Sequence, residues 1–289
     1  MEDNILPLSE NDKNNCSMDT FYFGRLNYNS KRKYNLEDLL NYGNKFRSKK
    51  GLYKYGIFSL KRITDPDLGV IFTGELVKYQ DLKEEQVVKD DKITIEYIED
   101  VILGKSRFFI LENTHLIAYN PYGHIINPKS FCEVFVGILM GADDAFNIDA
   151  EIYPINYEYE FMSFMKSMKR LDKLELNLMP SNPNNRPLWK NFDDRLNNMN
   201  VRRYKETLEA RPNESINVDE TVESKIGMAQ DGYGKVKGKG IDADNNDVEI
   251  STDSKESVTK KDVKNNLEVN EQLISIRSVF ISVIDRFKK

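Results

Sequence analysis

The chain has little cysteine, little histidine and no long apolar run. Its 289 residues include two cysteines, one tryptophan and two histidines. Cys16 and Cys132 are too few for a disulfide scaffold or a cysteine-based zinc module, which favours a reducing compartment. No apolar run approaches the roughly 18 residues that a membrane span needs, so membrane insertion is not expected. We therefore expect a cytoplasmic protein.

Several motifs that carry chemistry are also missing. The glycines between Gly232 and Gly240 do not end in the Gly-Lys-Ser/Thr of a phosphate-binding loop, and no serine or cysteine nucleophile motif occurs. His115, His124 and Cys132 are separated by eight and seven residues, which is wider than the roughly two to five residues between paired metal ligands. We therefore expect no catalytic residue, no metal and no cofactor.

The densest apolar region, residues 104–141, predicts a hairpin followed by a helix. Apolar runs at 108–111 and 116–119 flank a segment of turn residues, a pattern typical of two antiparallel strands. Asn127 and Pro128 then supply an N-cap and a first helical residue for an amphipathic helix that ends near Gly141. A strand pair that leads into a packed helix is typical of α+β proteins.

The whole pattern predicts an α+β fold with a mixed, mainly antiparallel sheet, packed helices and two subdomains. Residues 81–91 have the composition of a charged connection, and 93–98 alternate as a separate strand. The predicted organisation is a disordered leader at 1–18, an N-terminal α+β domain at 19–180, a C-terminal α+β domain with a hairpin at 188–252, a charged linker at 253–270 and an amphipathic helix at 271–289.

Charge is distributed unevenly along the chain. The formal net charge is -5, yet residues 25–62 hold eleven Lys and Arg against two acids, a net of +9. Residues 81–100 hold eight acids against three lysines, a net of -5. Because the distribution of charge matters more than its sum, one positive and one negative surface are expected.

Basic residues interleaved with aromatic residues suit nucleic-acid binding, since such a mixture can neutralise phosphates and offer stacking faces, although composition alone favours the alternative. The alternative is a solvated lysine face over aromatic core strands. Three lysines at period two form a second, smaller patch on one strand face. The predicted phosphate contacts are Lys31, Arg32, Lys33, Arg47, Lys49 and Lys50, with Lys235, Lys237 and Lys239 in the smaller patch.

The last 19 residues form an apolar stripe at helical spacing. A helix with such a stripe packs against a neighbour, and we expect it to mediate dimerisation or a partner contact. The stripe contains Leu273, Ile276, Phe280, Ile284 and Phe287.

The C-terminal third resembles a bacterial domain-of-unknown-function family whose members have a similar length. The resemblance is best over residues 170–257. The segments that carry it are Arg202-Arg203, residues 207–210 (Thr-Leu-Glu-Ala), residues 214–216 (Glu-Ser-Ile), residues 229–233 (Ala-Gln-Asp-Gly-Tyr), residues 237–240 with Asp242-Ala243-Asp244, and Ser251-Thr252. The resemblance implies an origin in mobile and defence-associated loci.

The order of elements is also similar to that of the phage Rex exclusion proteins and of the Kiwa defence proteins. That likeness covers an N-terminal aromatic strand, an apolar hairpin, a helix, a strand and an amphipathic C-terminal helix. It implies a two-domain α+β fold, homodimerisation and DNA binding in phage exclusion. No motif residue of those proteins transfers to a position of this chain, so the likeness is one of architecture.

Together these observations predict a nucleic-acid-binding sensor or effector subunit in anti-phage defence, without a catalytic centre of its own. The nucleic acid is expected to be DNA rather than RNA, and the partners are expected to be a second copy of the chain and a protein from the same defence locus. One alternative is a metal-dependent nuclease effector. Another is a protein-interaction or inhibitory subunit of a defence or toxin-antitoxin pair.

Overall fold

The structure is a computed structural model that describes residues 17–29, 35–141, 149–157, 160–181 and 186–288. Its helices are α1 (Leu36–Lys45), α2 (Pro128–Gly141), α3 (Glu160–Ser167), α4 (Lys190–Asn198), α5 (Glu220–Gln230) and α6 (Val269–Arg286). Its strands are β1 (Met18–Asn29), β2 (Ser48–Lys50), β3 (Tyr53–Asp65), β4 (Gly69–Lys89), β5 (Lys92–Leu111), β6 (Leu116–Tyr119), β7 (Asp149–Pro154), β8 (Arg170–Leu178), β9 (Tyr204–Glu209), β10 (Gly234–Ile241), β11 (Asp247–Ser251) and β12 (Lys260–Lys264). The predicted α+β class is confirmed.

The strands form two sheets, and every strand pairing in the described ranges is antiparallel. The large sheet has eight strands in the order β12-β1-β6-β5-β4-β3-β2, with β7 also paired to β1. The small sheet has four strands in the order β11-β10-β8-β9. Strand β8 therefore belongs to the small sheet, so the boundary predicted near residue 180 falls inside that sheet.

The large sheet is covered on both faces, which explains its continuous apolar runs. Phe108 and Ile110 of β5 pack with α1 and α2, whereas Phe109 and Leu111 pack with α6 on the opposite face. Alternate residues of a strand point to opposite faces, so a strand buried on both sides is apolar at every position. The predicted pairing of 108–111 with 116–119 is observed as the β5–β6 ladder.

Among the described residues, the small sheet is covered on one face only. Leu174, Leu176 and Leu178 of β8 pack against α3 and α5 around Trp189. Their period of two is the spacing that places side chains on one face of a strand. The opposite face of this sheet is polar.

Two segments differ from the sequence-based expectations. Residues 81–91 and 93–98, predicted as a connection and a separate strand, form one long hairpin of β4 and β5 that turns at Asp90 and Asp91, where both φ angles are positive. Positive φ at both central residues is typical of a tight hairpin turn. Strand β12 lies within the predicted linker 253–270 and pairs with β1.

The predicted leader, residues 1–18, falls outside the described residues except for Ser17 and Met18, and Met18 begins β1. Among the described residues, no helix combines the length and the apolar character needed to cross a bilayer.

Candidate nucleic-acid interface

Seven cations lie beside the outer edge of the large sheet, on the end of α1, on the segment that follows it, on β2 and on β3. We call this surface the basic edge. Strand β2 is the outermost strand, and Lys49 on β2 stands directly opposite Lys54 on β3, so both side chains point to the same face. Residues 45–62 contain no acid. The members of the basic edge are Lys45, Arg47, Lys49, Lys50, Lys54, Lys61 and Arg62.

Some of these cations are already engaged within the chain. Lys54 lies 2.6 Å from Asp81, and the hydrogen bond from this lysine to Asp81 raises its pKa. Lys50 lies 3.8 Å from Glu133, and both side chains are more than half exposed. Exposed pairs of this kind are weak, because water and salt screen them. A polyanion can therefore displace Glu133 from Lys50.

Arg47 has a structural role that the sequence did not indicate. Its guanidinium donates to the carbonyl oxygens of Asn44 (2.7 Å) and Phe46 (2.8 Å) and lies 4.3 Å from the ring centre of Phe58. Arginine near the end of a helix satisfies carbonyls that have no helical partner. Arg47 therefore caps α1 and is less available to phosphates than its neighbours.

Four cations of the basic edge are exposed and unengaged. They are Lys45, Lys49, Lys61 and Arg62, and none of them forms an ion pair with any residue that the structure describes. Ser59, which precedes two of them, has a φ of 53° at a bulge in β3. Bulges and basic residues on an outer strand discourage pairing with other strands and leave the charges facing solvent.

Most of the interleaved aromatic residues are core residues. Phe23, Tyr28 and Tyr55 are buried, and burial raises the pKa of Tyr28 to about 12. Tyr53 is the aromatic residue of β3 with the greatest exposure, at 37%, and Lys78 lies 4.1 Å from its ring centre. Among the described members of this set, the exposed aromatic residues are therefore Tyr42 of α1, at 43%, and Tyr53.

The remaining predicted phosphate contacts form two groups. Lys31, Arg32 and Lys33 lie outside the described residues. Lys235, Lys237 and Lys239 lie on β10 in the other sheet, on the polar face that their period of two predicts.

The lysines of β10 are interleaved with acids from neighbouring strands. Lys239 lies 2.7 Å from Glu249, Lys235 lies 3.3 Å from Asp253, and Glu175 stands opposite Lys237. The hydrogen bond from Lys239 lowers the pKa of Glu249. Glu209 also lies on this face, 3.5 Å from Lys173 of β8. This corrects the expectation of a basic patch, because the acids come from strands distant in sequence.

The stripe expected to mediate dimerisation is occupied inside the chain. Leu273, Ile276 and Phe280 are buried against the large sheet, and Ile284 and Phe287 pack at the margin of the same cluster. The exposed apolar residue of α6 is Ile274, at 70%. This corrects the expectation of a free partner helix, because α6 covers a face of the sheet that nothing else in the described ranges covers.

A buried charged cluster joins the two sheets. Arg25 of β1 is fully buried, and its guanidinium donates to the backbone carbonyl of Asp231 (2.8 Å) and stacks on the Tyr233 ring (4.5 Å). The Asp231 carboxylate accepts from Trp189 Nε1 (2.9 Å). Two more guanidiniums approach it, those of Arg186 (3.5 Å) and Arg286 (3.7 Å).

Sequence reasoning missed this cluster, although two signals pointed to it. Arg25 alternates with Phe21 and Phe23, so period two places it on an inward face. Asp231 lies in the Ala-Gln-Asp-Gly-Tyr segment that carried the family resemblance. A buried carboxylate surrounded by guanidiniums favours a structural role, because each partner offsets the cost of burying the others.

Metal-ligating side chains do not converge in the described ranges: no group of three or more His, Cys, Asp or Glu there is placed to hold a metal ion. His115 is buried and stacks on Tyr28 at 4.8 Å between ring centres, whereas His124 is exposed in a turn. The thiol of Cys132 donates a hydrogen bond to the Tyr119 hydroxyl (3.3 Å).

The fold and its surfaces define an α+β protein of two antiparallel sheets, joined by a buried arginine–aspartate cluster and bearing a basic outer edge. The family model for a domain of unknown function (DUF4747) matches residues 19–278, and the chain belongs to this family. The match confirms the resemblance to a family of unknown function and extends it well beyond residues 170–257. No curated protein matches the sequence.

Proposed function

We propose that this chain is a cytoplasmic DNA-binding sensor or effector subunit in anti-phage defence, without a catalytic centre of its own. The observation that carries the DNA-binding proposal is the basic edge, where seven cations lie within residues 45–62 and no acid interrupts them. The defence context is supported by the resemblance in element order to the Rex and Kiwa proteins.

The length of the basic edge suits several phosphate contacts. Lys54 stands opposite Tyr79 and Lys61 stands opposite Thr73, so the two lysines share one face and are six residues apart as measured along β4, which is about 20 Å at roughly 3.3 Å per residue. The phosphates of one DNA strand follow each other at about 3.4 Å along the helix axis, so such a surface spans several of them. Four contacts would give a slope of log affinity against log salt of about -3.6.

The test is a salt titration of duplex DNA binding, measured by fluorescence anisotropy. We expect the double variant Lys49→Glu, Lys50→Glu to weaken binding and to make the slope shallower by about 2, because two phosphate contacts are lost. The matched control is Lys237→Glu, Lys239→Glu, which makes the same charge change on the face where acids interleave with lysines. Equal slopes for wild type and both variants would contradict the proposal.

The same variants separate the remaining alternatives. In cells challenged with phage, the defence proposal expects Lys49→Glu, Lys50→Glu to lose protection while the control retains it. Degradation of the duplex in the presence of Mg²⁺ would instead support the nuclease alternative. If a variant that no longer binds DNA still protects cells against phage, the protein-interaction alternative is favoured. The β4–β5 hairpin is the most relevant surface for that alternative.

A further inference from the structure

The hairpin of β4 and β5 continues beyond the rest of the large sheet as an arm formed by residues 81–100. Strand β3 pairs with β4 only as far as the Tyr53–Gln80 pair, whereas β4 and β5 remain paired out to Lys89 and Lys92. About nine further residues of each strand reach roughly 30 Å from the body at about 3.3 Å per residue. A two-stranded ribbon that packs on nothing is marginally stable, so an arm of this length calls for a partner.

One face of the arm is uncovered and carries five large apolar side chains beside Glu84 and Glu99. Opposite residues of an antiparallel ladder point to the same face, and the pairs Gln86–Ile95 and Val88–Ile93 place their side chains together. Along β4 this face continues the one that α1 and α2 cover at Leu76. Its large apolar side chains and their exposures are Leu82 50%, Val88 75%, Ile93 73%, Ile95 57% and Tyr97 60%.

The charge of the arm restricts what can cover this face. Residues 81–100 carry eight acids against three lysines. The negative charge of the arm repels DNA, and it also opposes the packing of one arm on another arm. A fitting surface is positive and has exposed apolar side chains of its own.

The basic edge meets both requirements. Leu52, at the β2–β3 turn, is 76% exposed and lies between Lys50 and Lys54 in sequence. Within its own chain the arm touches the basic edge at its base, where Asp81 lies 2.6 Å from Lys54, and β4 then leaves the body beyond the Tyr53–Gln80 pair. Lys54 to Arg62 therefore extend in the direction opposite to the arm.

We propose that the arm of one copy docks on the basic edge of a second copy, and that the second arm makes the same contact in return. Each contact sets the acidic arm against the basic edge and covers the apolar face. The reach of the arm, roughly 30 Å, is enough to cover the length of about 20 Å between Lys54 and Lys61. A reciprocal contact of this kind closes as a two-fold dimer, the commonest symmetry of soluble oligomers.

This inference uses the surface assigned to DNA above, but it does not depend on DNA binding. An arm and a duplex would compete for the same cations. Loss of the arm contact leaves the basic edge intact, so an experiment can reject the dimer contact without rejecting DNA binding, and the reverse.

The test is sedimentation velocity of the full chain without nucleic acid, over a range of protein concentrations. The arm variant Ile95→Lys, Tyr97→Lys changes the apolar face, and we expect the dimer dissociation constant to rise by at least about tenfold because both symmetric contacts are lost. The matched control Val87→Lys, Thr94→Lys adds the same charge on the opposite face of the arm, and it should remain a dimer. The edge variant Lys49→Glu, Lys61→Glu should behave as a monomer.

Reversing the charges of the basic edge and of the arm in one variant tests whether these two surfaces contact each other. Combining the edge variant with Glu84→Lys, Glu99→Lys on the arm should restore the dimer, because the signs are complementary again. A wild-type chain that stays monomeric overturns the inference, as does a dimer that survives the arm variant. A dimer lost in the arm variant but kept in the edge variant also overturns it, because the contact would then not involve the basic edge.

Duplex binding distinguishes this inference from the proposed function. The arm variant should bind duplex DNA at least as tightly as wild type, because its basic edge is unchanged and freed from competition. If the arm variant is monomeric and neither it nor wild type binds DNA, the dimer contact stands and the DNA-binding proposal fails.

Discussion

Arg25 shows that a cation in a segment of high positive charge can still be buried in the core. It is one of the eleven cations counted between residues 25 and 62, yet its side chain is fully buried. Segment charge predicts how many cations are present, but only the alternation with Phe21 and Phe23 indicates that this one points inward. Its partner Asp231 is 206 residues away, a separation that no local pattern reveals.

The buried cluster predicts a large loss of stability for Asp231→Asn. The amide retains an acceptor for Trp189 but removes the negative charge between Arg186 and Arg286, which leaves their charges buried without that carboxylate. Breaking a buried ion pair in this way costs about 3–5 kcal/mol of unfolding free energy. Urea denaturation should show that loss.

The control for that measurement is Asp244→Asn, because Asp244 is exposed in the turn between β10 and β11. Surface substitutions of this kind usually change stability by less than about 0.5 kcal/mol. Similar urea midpoints for the two variants would mean that the contacts of Asp231 contribute little to the free energy of unfolding.

At the scale of elements, local signals predicted some structures and failed for others. The helix α2 begins where Asn127 and Pro128 indicate, and the Asn127 side chain accepts from the Ser130 amide at 2.9 Å. The strand β12 was missed because only Val263 among its five residues is apolar. A short outer strand buries so few side chains that its composition resembles a linker.

The importance of β12 can be tested with two substitutions on that strand. Val263 is 2% exposed in the cluster beneath α6, so Val263→Asp buries a carboxylate and should cost more than about 2 kcal/mol. Lys264→Asp introduces the same side chain at the next, exposed position and should cost little. Denaturation midpoints give the comparison. If both variants match wild type, residues 253–270 behave as the linker that composition predicts.

At the scale of the whole molecule, the chain separates its charges despite a net of only -5. Segment charges predicted a positive and a negative region, and the structure places cations of residues 45–62 beside an outer sheet edge and residues 81–100 on a projecting arm. The sequence could not reveal that β3 and the arm extend in opposite directions from Tyr53, because that depends on where the β3–β4 pairing ends. Nor could it reveal the acids that neighbouring strands bring to the lysines of β10.

The most direct measurement of the DNA-binding surface is lysine acetylation with and without duplex DNA, analysed by mass spectrometry on the arm variant Ile95→Lys, Tyr97→Lys. We expect the duplex to protect Lys49, Lys50 and Lys61, while Lys235, Lys237 and Lys239 react equally in both samples. Protection of the β10 lysines without protection of the basic edge, or no protection of either set, would contradict the account.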